Sequence, residues 1–276
     1  MAMRINTNAT SLRAQQNLSE AQSSLTANVE RLSSGLRINR AGDDAAGSSI
    51  SSKLSADVRS LKQASRNTND AVSVIQTAEG AMGEIGGILT RMRELAVQSA
   101  NGGTMTATER QYIDQEFQLL ESEINRIVGV TEFNGQNLIN GDLSGGVDFQ
   151  VGMNNTSNDR IALTITNTDA TNLGLNDDAL TTATGAQQAI DALDAAIQSV
   201  ATSRGTLGTT QNRLTVTLSN LANMHENLSA ANSRIKDADI AEESASMTRN
   251  QILQQAGVAV LAQANMLPQS ALSLIG

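Results

Sequence analysis

The chain has 276 residues, 39% of them apolar but only 1% aromatic, with 28 acidic and 19 basic side chains and a formal charge of −9. No clustered basic footprint is present, which argues against a nucleic-acid binder. The absence of cysteine excludes a disulfide framework and thiol chemistry. No stretch approaches the 18 or so apolar residues of a membrane span, so no membrane insertion is expected. The first residues also lack an apolar run of signal-peptide length, so any export is expected to use a route without a cleaved signal. With so few aromatics, the core must come from Leu, Ile, Val, Met and Ala, which suits long helices meeting along narrow seams. Pro268 is the single proline, so glycine must punctuate the chain.

In chain order, the first segment (1–42) carries Leu18, Leu25 and Leu32 at intervals of seven, with Ile5 and Leu12 one register away. This is a thin helical stripe. Asp43 and Asp44 are adjacent carboxylates, and the spacing predicts a cap for a helix starting near residue 45. The second segment (43–140) holds a heptad-like stripe at Val58, Leu61, Ser65, Thr68, Val72, Ile75, Glu79 and Met82. It slips near Gly83, Gly86 and Gly87 and resumes at Ile85, Leu89, Met92, Ala96 and Ser99. The glycines read as a close helix approach or a kink, and the slip as a place where two packings can alternate. Residues 91–101 are amphipathic, with Arg91, Glu94 and Gln98 on the polar side. Asn101-Gly102-Gly103 reads as a helix stop. Thr106 or Thr108 then caps a helix with Glu109 in its first turn and an apolar stripe of Ile113, Phe117, Leu120, Ile124 and Ile127.

The middle (141–185) is rich in Gly, Asn, Asp, Ser and Thr. Val147, Phe149 and Val151 alternate, as do Ile161, Leu163 and Ile165, around a turn-like span, which predicts a β-hairpin. Segment 186–234 carries the longest stripe: Ile190, Leu193, Ile197, Val200, Arg204, Leu207, Gln211, Leu214, Leu218, Leu221, His225 and Leu228. The last segment (235–276) repeats Leu253, Val260, Leu267 and Leu274 at seven, beside a row of Gly257, Ala264 and Ala271. Both terminal stripes are too thin to make a stable domain. The expectation is that they are disordered in the free monomer and fold against each other on assembly. The fold class is therefore mainly α: a long-helix bundle with coiled-coil-like terminal helices and a small β-hairpin region in the middle.

No catalytic constellation is visible. His225 is the only histidine, which excludes a His dyad or a His-based metal site within one chain. It reads as a partly buried seam residue. No phosphate-binding glycine loop occurs, and no cofactor or metal is expected. Asp43 and Asp44 have no second ligand cluster in support.

Several segments resemble bacterial flagellins. Arg4-Ile-Asn-Thr-Asn8, Arg31-Leu-Ser-Ser-Gly-Leu-Arg-Ile-Asn39 and Asp43-Asp-Ala-Ala-Gly47 match the family's N-terminal region. Met92-Arg-Glu-Leu-Ala-Val-Gln-Ser-Ala-Asn101 and Phe133-Asn-Gly135 continue the match. Ser233-Arg-Ile-Lys-Asp-Ala-Asp-Ile-Ala-Glu242 and Ala264-Asn-Met-Leu-Pro-Gln-Ser-Ala-Leu-Ser-Leu274 extend it to the C-terminal region. The resemblance covers roughly residues 1–140 and 185–276.

It implies a non-enzymatic, extracellular filament subunit for swimming motility, exported unfolded and polymerised at the distal tip. The segments 1–42 and 235–276 then become inner-tube helices with Leu18, Leu25, Leu32, Leu253, Val260, Leu267 and Leu274 as assembly anchors, and the remainder an outer tube. The implied partners are other copies of the chain, a flagellar export chaperone, filament cap and hook–filament junction proteins, and a host Toll-like receptor. Carried over residue by residue, the receptor epitope is Arg91, Leu95, Gln98 and Glu116, although Glu116-Phe-Gln-Leu-Leu120 departs from the family pattern. A hook–filament junction protein is the nearest alternative. An intracellular coiled-coil adaptor is the rival from another class, against which the hairpin insert and the self-complementary ends argue.

Overall fold

The structure, a computed structural model, describes residues 7–175 and 179–272, with side chains through Met266. Five helices carry the fold: α1 (Ala9–Ser34), α2 (Ala45–Ser99), α3 (Ala107–Val130), α4 (Ala183–Lys236) and α5 (Ile240–Leu272). Between α3 and α4 lie four short strands, β1 (Glu132–Phe133), β2 (Gln136–Asn137), β3 (Val147–Gln150) and β4 (Arg160–Leu163). The chain divides into two compact units, one of residues 59–226 and one of 1–58 with 227–276. The mainly helical bundle with a small hairpin region expected from the sequence is what the structure shows.

In the 59–226 unit, α2 buries Leu61, Ala64, Thr68, Ala71, Ile75, Ala78, Met82, Ile85, Leu89, Met92, Ala96 and Ser99. The steps alternate three and four without interruption, so the predicted slip at residues 83–87 does not exist. The sequence stripe took Ser65, Val72 and Glu79 as seam positions, whereas the seam runs one residue earlier, through Ala64, Ala71 and Ala78. Alanine packs as well as a larger residue where two helices approach closely, but its small apolar side chain gives no periodic signal. The same holds for α4, which buries Ala186, Ala189, Leu193, Ala196, Val200, Leu207, Thr210, Leu214 and Leu221. Half of the predicted α4 stripe is right, and its Ile190, Ile197, Arg204 and Gln211 row is displaced by one. A Cβ built at Gly83, Gly86 or Gly87 meets nothing within 4 Å, so these glycines mark no close approach.

α2 and α4 run antiparallel, since Arg93 binds Asp194 at 2.6 Å and Arg204 meets Glu79 at 3.8 Å. α3 adds Ile113, Phe117, Ile124 and Val128 to the core. Its start is a reciprocal capping box: the Glu109 N–H donates to Thr106 Oγ1 (3.3 Å) and the Thr106 N–H donates to the Glu109 carboxylate (2.7 Å). Both donors would otherwise be orphaned at the helix end. The bond to the Thr106 backbone, then that to its hydroxyl, holds the Glu109 carboxyl below its usual range.

The predicted hairpin is present: β3 and β4 pair antiparallel, Val147 with Leu163 through Gln150 with Arg160. Ile161, Leu163 and Ile165 point into the helical core. A second, unpredicted hairpin joins β1 to β2. Asn134 (φ 52°) and Gly135 (φ 78°) form its turn, and two consecutive positive φ values are what a two-residue type I′ turn requires.

In the other unit, α1 and α5 pack antiparallel along their lengths. Asn8 caps α1 by accepting the Ser11 N–H (3.2 Å), and its amide donates to the Ala264 carbonyl (2.8 Å). Gly35 ends α1 in the left-handed region at φ 70°, where glycine carries no Cβ penalty. As predicted, Asp44 caps α2, accepting the Gly47 N–H at 2.8 Å. Asp43 accepts the N–H groups of Arg40 (2.9 Å) and Asn39 (3.0 Å). The sequence places segment boundaries at 42/43, in the turn between α1 and α2, and at 234/235, in the last turn of α4. The compact units meet within α2 and α4, and Asn232 bonds Ser51 (2.7 Å) and Ser55 (3.2 Å). These bonds tie the first turns of α2 to the last turns of α4.

Candidate functional site

The terminal helix pair has an unusual seam. Its fully buried side chains are small or polar: Ser11, Ala14, Asn28 and Ala264. Carboxamides bond across it, with Asn250 donating to Asn28 (3.1 Å), Ser11 to Asn265 (2.9 Å) and Gln254 to Gln22. Arg31 and Glu243 face each other at 3.7 Å. The predicted anchors Leu18, Leu25 and Leu32 are half-buried on α1, and Leu18 lies against Gly257, where an added Cβ would sit 3.3 Å from its Cδ1.

Leu253 and Val260 are 51% and 56% exposed, so the Leu/Val row does not face α1. The row that does is Asn250, Gly257 and Ala264, because only small side chains and short amides let two helices approach this closely. Leu274 and the side chain of Leu267 lie outside the described residues. Leu253 and Val260 instead border an open groove of about 480 Å³ floored by Ala14, Leu18, Ala21 and Gly257. Ile252, Val258 and Met266 on α5, and Leu12 on α1, are also more than half exposed. From residue 250 to 276 the sequence carries no charged side chain. Asn17, Glu20, Ser24 and Asn250 also line the groove, so it pairs apolar side chains with polar ones, as protein-binding surfaces do.

The second predicted site lies in the 59–226 unit. Arg91 forks between two carboxylates, reaching Glu116 at 2.9 Å and Glu94 at 3.0 Å. Hydrogen bonding first to Glu116 and then to Glu94 raises the Arg91 pKa further above its ordinary value. Gln98, two turns along α2, is exposed on the surface. Leu95 is not part of it: its side chain is 2% exposed and belongs to the core seam beneath. The structure therefore brings Arg91 and Glu116 into contact and separates Leu95 from the surface. His225 is partly buried on α4. Among the described residues no group of His, Asp or Glu is placed to hold a metal ion, and no helix is long and apolar enough to cross a membrane.

The polar seam of Asn8, Asn28, Asn250 and Asn265 escaped the sequence reading. Its one legible trace is the Gly257–Ala264 row, whose small residues at a spacing of seven predict close helix contact.

Comparison with known proteins covers almost the whole chain. A family model described as the bacterial flagellin N-terminal helical region matches residues 5–144, and one described as the C-terminal helical region matches 190–275. The chain is 49% identical to a flagellin of Halalkalibacterium halodurans over 94% of this chain and 93% of that protein. It is 43% identical to the flagellin of Bacillus subtilis over 99% and 100% of the two chains. A crystal structure of Bacillus cereus flagellin, 35% identical, superposes on 60% of this chain and 94% of that one with a TM-score of 0.51.

Proposed function

This chain belongs to the bacterial flagellin family and is a structural subunit of the flagellar filament, and from that premise we propose that its terminal helix pair is the polymerising element, completed only by neighbouring copies at the growing tip. The observation that carries this reading is the uncharged, outward apolar surface of α5 around Leu253 and Val260. Burying a Leu or Val side chain contributes about 1.5–3 kcal/mol, and among the described residues nothing covers these two. The contacts are heterologous, face to groove, and such contacts that do not close on themselves give open filaments.

The thin α1–α5 seam also suits passage in an unfolded form, with an export chaperone shielding the apolar C-terminal helix until cap proteins fold the subunit into place beyond the hook–filament junction. The Arg91–Glu116 pair with Gln98 is offered as the surface a host Toll-like receptor reads, with Leu95 supporting α2 from below.

Seeded polymerisation tests the assembly reading. A Leu253→Asp, Val260→Asp double variant is expected to leave the urea transition of the 59–226 unit unchanged and to abolish elongation from filament seeds. Normal elongation by that variant would overturn the assignment.

A further inference from the structure

The sequence contains three Asn-Gly pairs, Asn101-Gly102, Asn134-Gly135 and Asn140-Gly141. Asn-Gly is the pair most prone to deamidate spontaneously, because glycine leaves its own backbone nitrogen unhindered. The chemistry is intramolecular. The Gly nitrogen attacks the Asn Cγ and gives its proton to solvent, the Cγ–Nδ2 bond breaks, and ammonia leaves. Water then opens the cyclic imide to Asp or isoAsp, so one water is consumed, one ammonia released and one negative charge gained.

The sequence gives no means of ranking the three pairs, but their surroundings differ. Asn140 is held at both ends of its carboxamide: Nδ2 donates to Asp142 (2.9 Å) and Oδ1 accepts the Asp142 N–H (3.0 Å). Attack there must first free the leaving amide from Asp142. Asn134 sits at φ 52° and Gly135 at φ 78°, in the turn between paired strands β1 and β2. Closing the imide ring demands a different backbone conformation and unpairs that hairpin.

Asn101 lies outside any hairpin, and its Nδ2 makes no hydrogen bond to the described residues. It is exposed and lies two residues past the end of α2, with exposed Gly102 and Gly103 behind it. Its Oδ1 accepts the Gly103 N–H at 3.2 Å. Asn140 makes the same Asx-turn bond to the Asp142 N–H, so the two sites differ in the Nδ2 bond and in exposure rather than in this contact. The Gly102 N–H makes no hydrogen bond to the described residues. An added Cβ at Gly102 meets nothing within 4 Å, so the loop has room to close the ring.

We infer that Asn101 is a self-modifying site, converting to Asp or isoAsp in the folded subunit while Asn134 and Asn140 are protected. The conversion places a carboxylate at the C-terminal end of α2, where the helix dipole is already negative. It also disturbs a staple, because Arg110 donates to the carbonyls of Ser99 (3.0 Å) and Asn101 (2.9 Å). IsoAsp lengthens the backbone within that staple and loosens the turn into α3.

The test is peptide mass mapping of the full chain, native and in urea, during incubation at mildly alkaline pH. In urea the three pairs are expected to react at similar rates. In the native protein Asn101 is expected to react about tenfold or more faster than the other two, the equivalent of about 1.4 kcal/mol in barrier. Asn101→Gln is expected to remove the native product without accelerating the other sites. Native reaction of Asn134 or Asn140 at the Asn101 rate, or equal suppression of all three, overturns the inference.

Discussion

The two units of this subunit use the same seven-residue repeat and spend it on different residues. In the 59–226 unit, large aliphatics alternate with alanine along the seam, and Phe117, Ile139 and Leu163 close the core from α3 and the strand region. Every step of the α2 seam from Leu61 to Ser99 is buried. In the unit built from the two chain ends, Ile38 is the one large aliphatic that is fully buried among the described residues. The α1–α5 seam alternates Ala, Ser and Gly with carboxamides, and the large side chains of α5 point outward. Burial, not hydrogen bonding, dominates folding free energy. The first unit therefore has a core of its own within one chain, and the second, on the proposed reading, is completed by its neighbours.

Paired truncations break this comparison most sharply. Phe117→Ala is expected to destabilise the 59–226 unit by about 3–5 kcal/mol, read as a lower midpoint in a urea melt. Leu25→Ala, on the half-buried stripe of α1, is expected to shift the same transition by less than about 0.5 kcal/mol. Amide exchange on the free monomer should agree, with slow exchange along the α2 seam and fast exchange in residues 7–34. Equal losses from the two substitutions, or strong protection of α1, would show that the terminal pair is as self-sufficient as the other unit.

Glycines give a smaller contrast. Gly83 and Gly86 lie in a continuous helix, and a Cβ at either meets open space. Changing both to alanine removes only an entropic penalty and should stabilise the 59–226 unit by about 1–2 kcal/mol in total. Gly47 is the opposite case. A Cβ there runs into the Asp44 carboxylate and comes to 2.8 Å from Ile38 Cδ1, so Gly47→Ala dislodges the α2 cap and is expected to cost about 1 kcal/mol. A stabilised Gly47→Ala beside a destabilised Gly83→Ala, Gly86→Ala would invert the steric reading.

Much of this was legible because it depends on local chemistry. The Thr106 capping box, the Asp44 cap, the stop at Asn101-Gly102-Gly103 and the β3–β4 alternation each involve residues within a few positions of one another. What escaped depends on partners far along the chain. Alanine seams look like surface until the opposite helix is in place, so the α2 and α4 stripes were read one residue late and a false slip appeared at Gly83. Leu253 and Val260 repeat at seven as a seam should, but among the described residues they are exposed, and the inner seam belongs to Gly257 and Ala264. Leu95 shares a turn with Arg91 and Gln98, and only the packing of α2 turns it inward. Asn134-Gly135 carried a plain hairpin signal, but its two-residue strands are too short to alternate.

The smallest expected effect concerns acid, and both units feel it through the same device. Asp43 has its pKa lowered chiefly by the backbone N–H of Arg40 and then by that of Asn39. Glu109 has its pKa lowered by the backbone of Thr106 and then by its hydroxyl. A carboxyl whose folded pKa lies below its ordinary value contributes stability above that ordinary value and loses it as pH falls through the lowered one. For Asp43 the ordinary value is 3.8, so the turn joining α1 to α2 keeps its clamp at neutral pH and gives it up only in stronger acid. The amide resonances of Asn39 and Arg40 should report this as an inflection below 3.8 that disappears in Asp43→Asn. An inflection at or above 3.8 would mean that the two N–H bonds do not favour the ionised form. Release of Glu109, somewhere below its ordinary 4.5, should leave α3 in place, because Ile113 and Phe117 are held by the core. Release of Asp43 frees a turn that packing holds mainly through Ile38, so acid should loosen the terminal unit first.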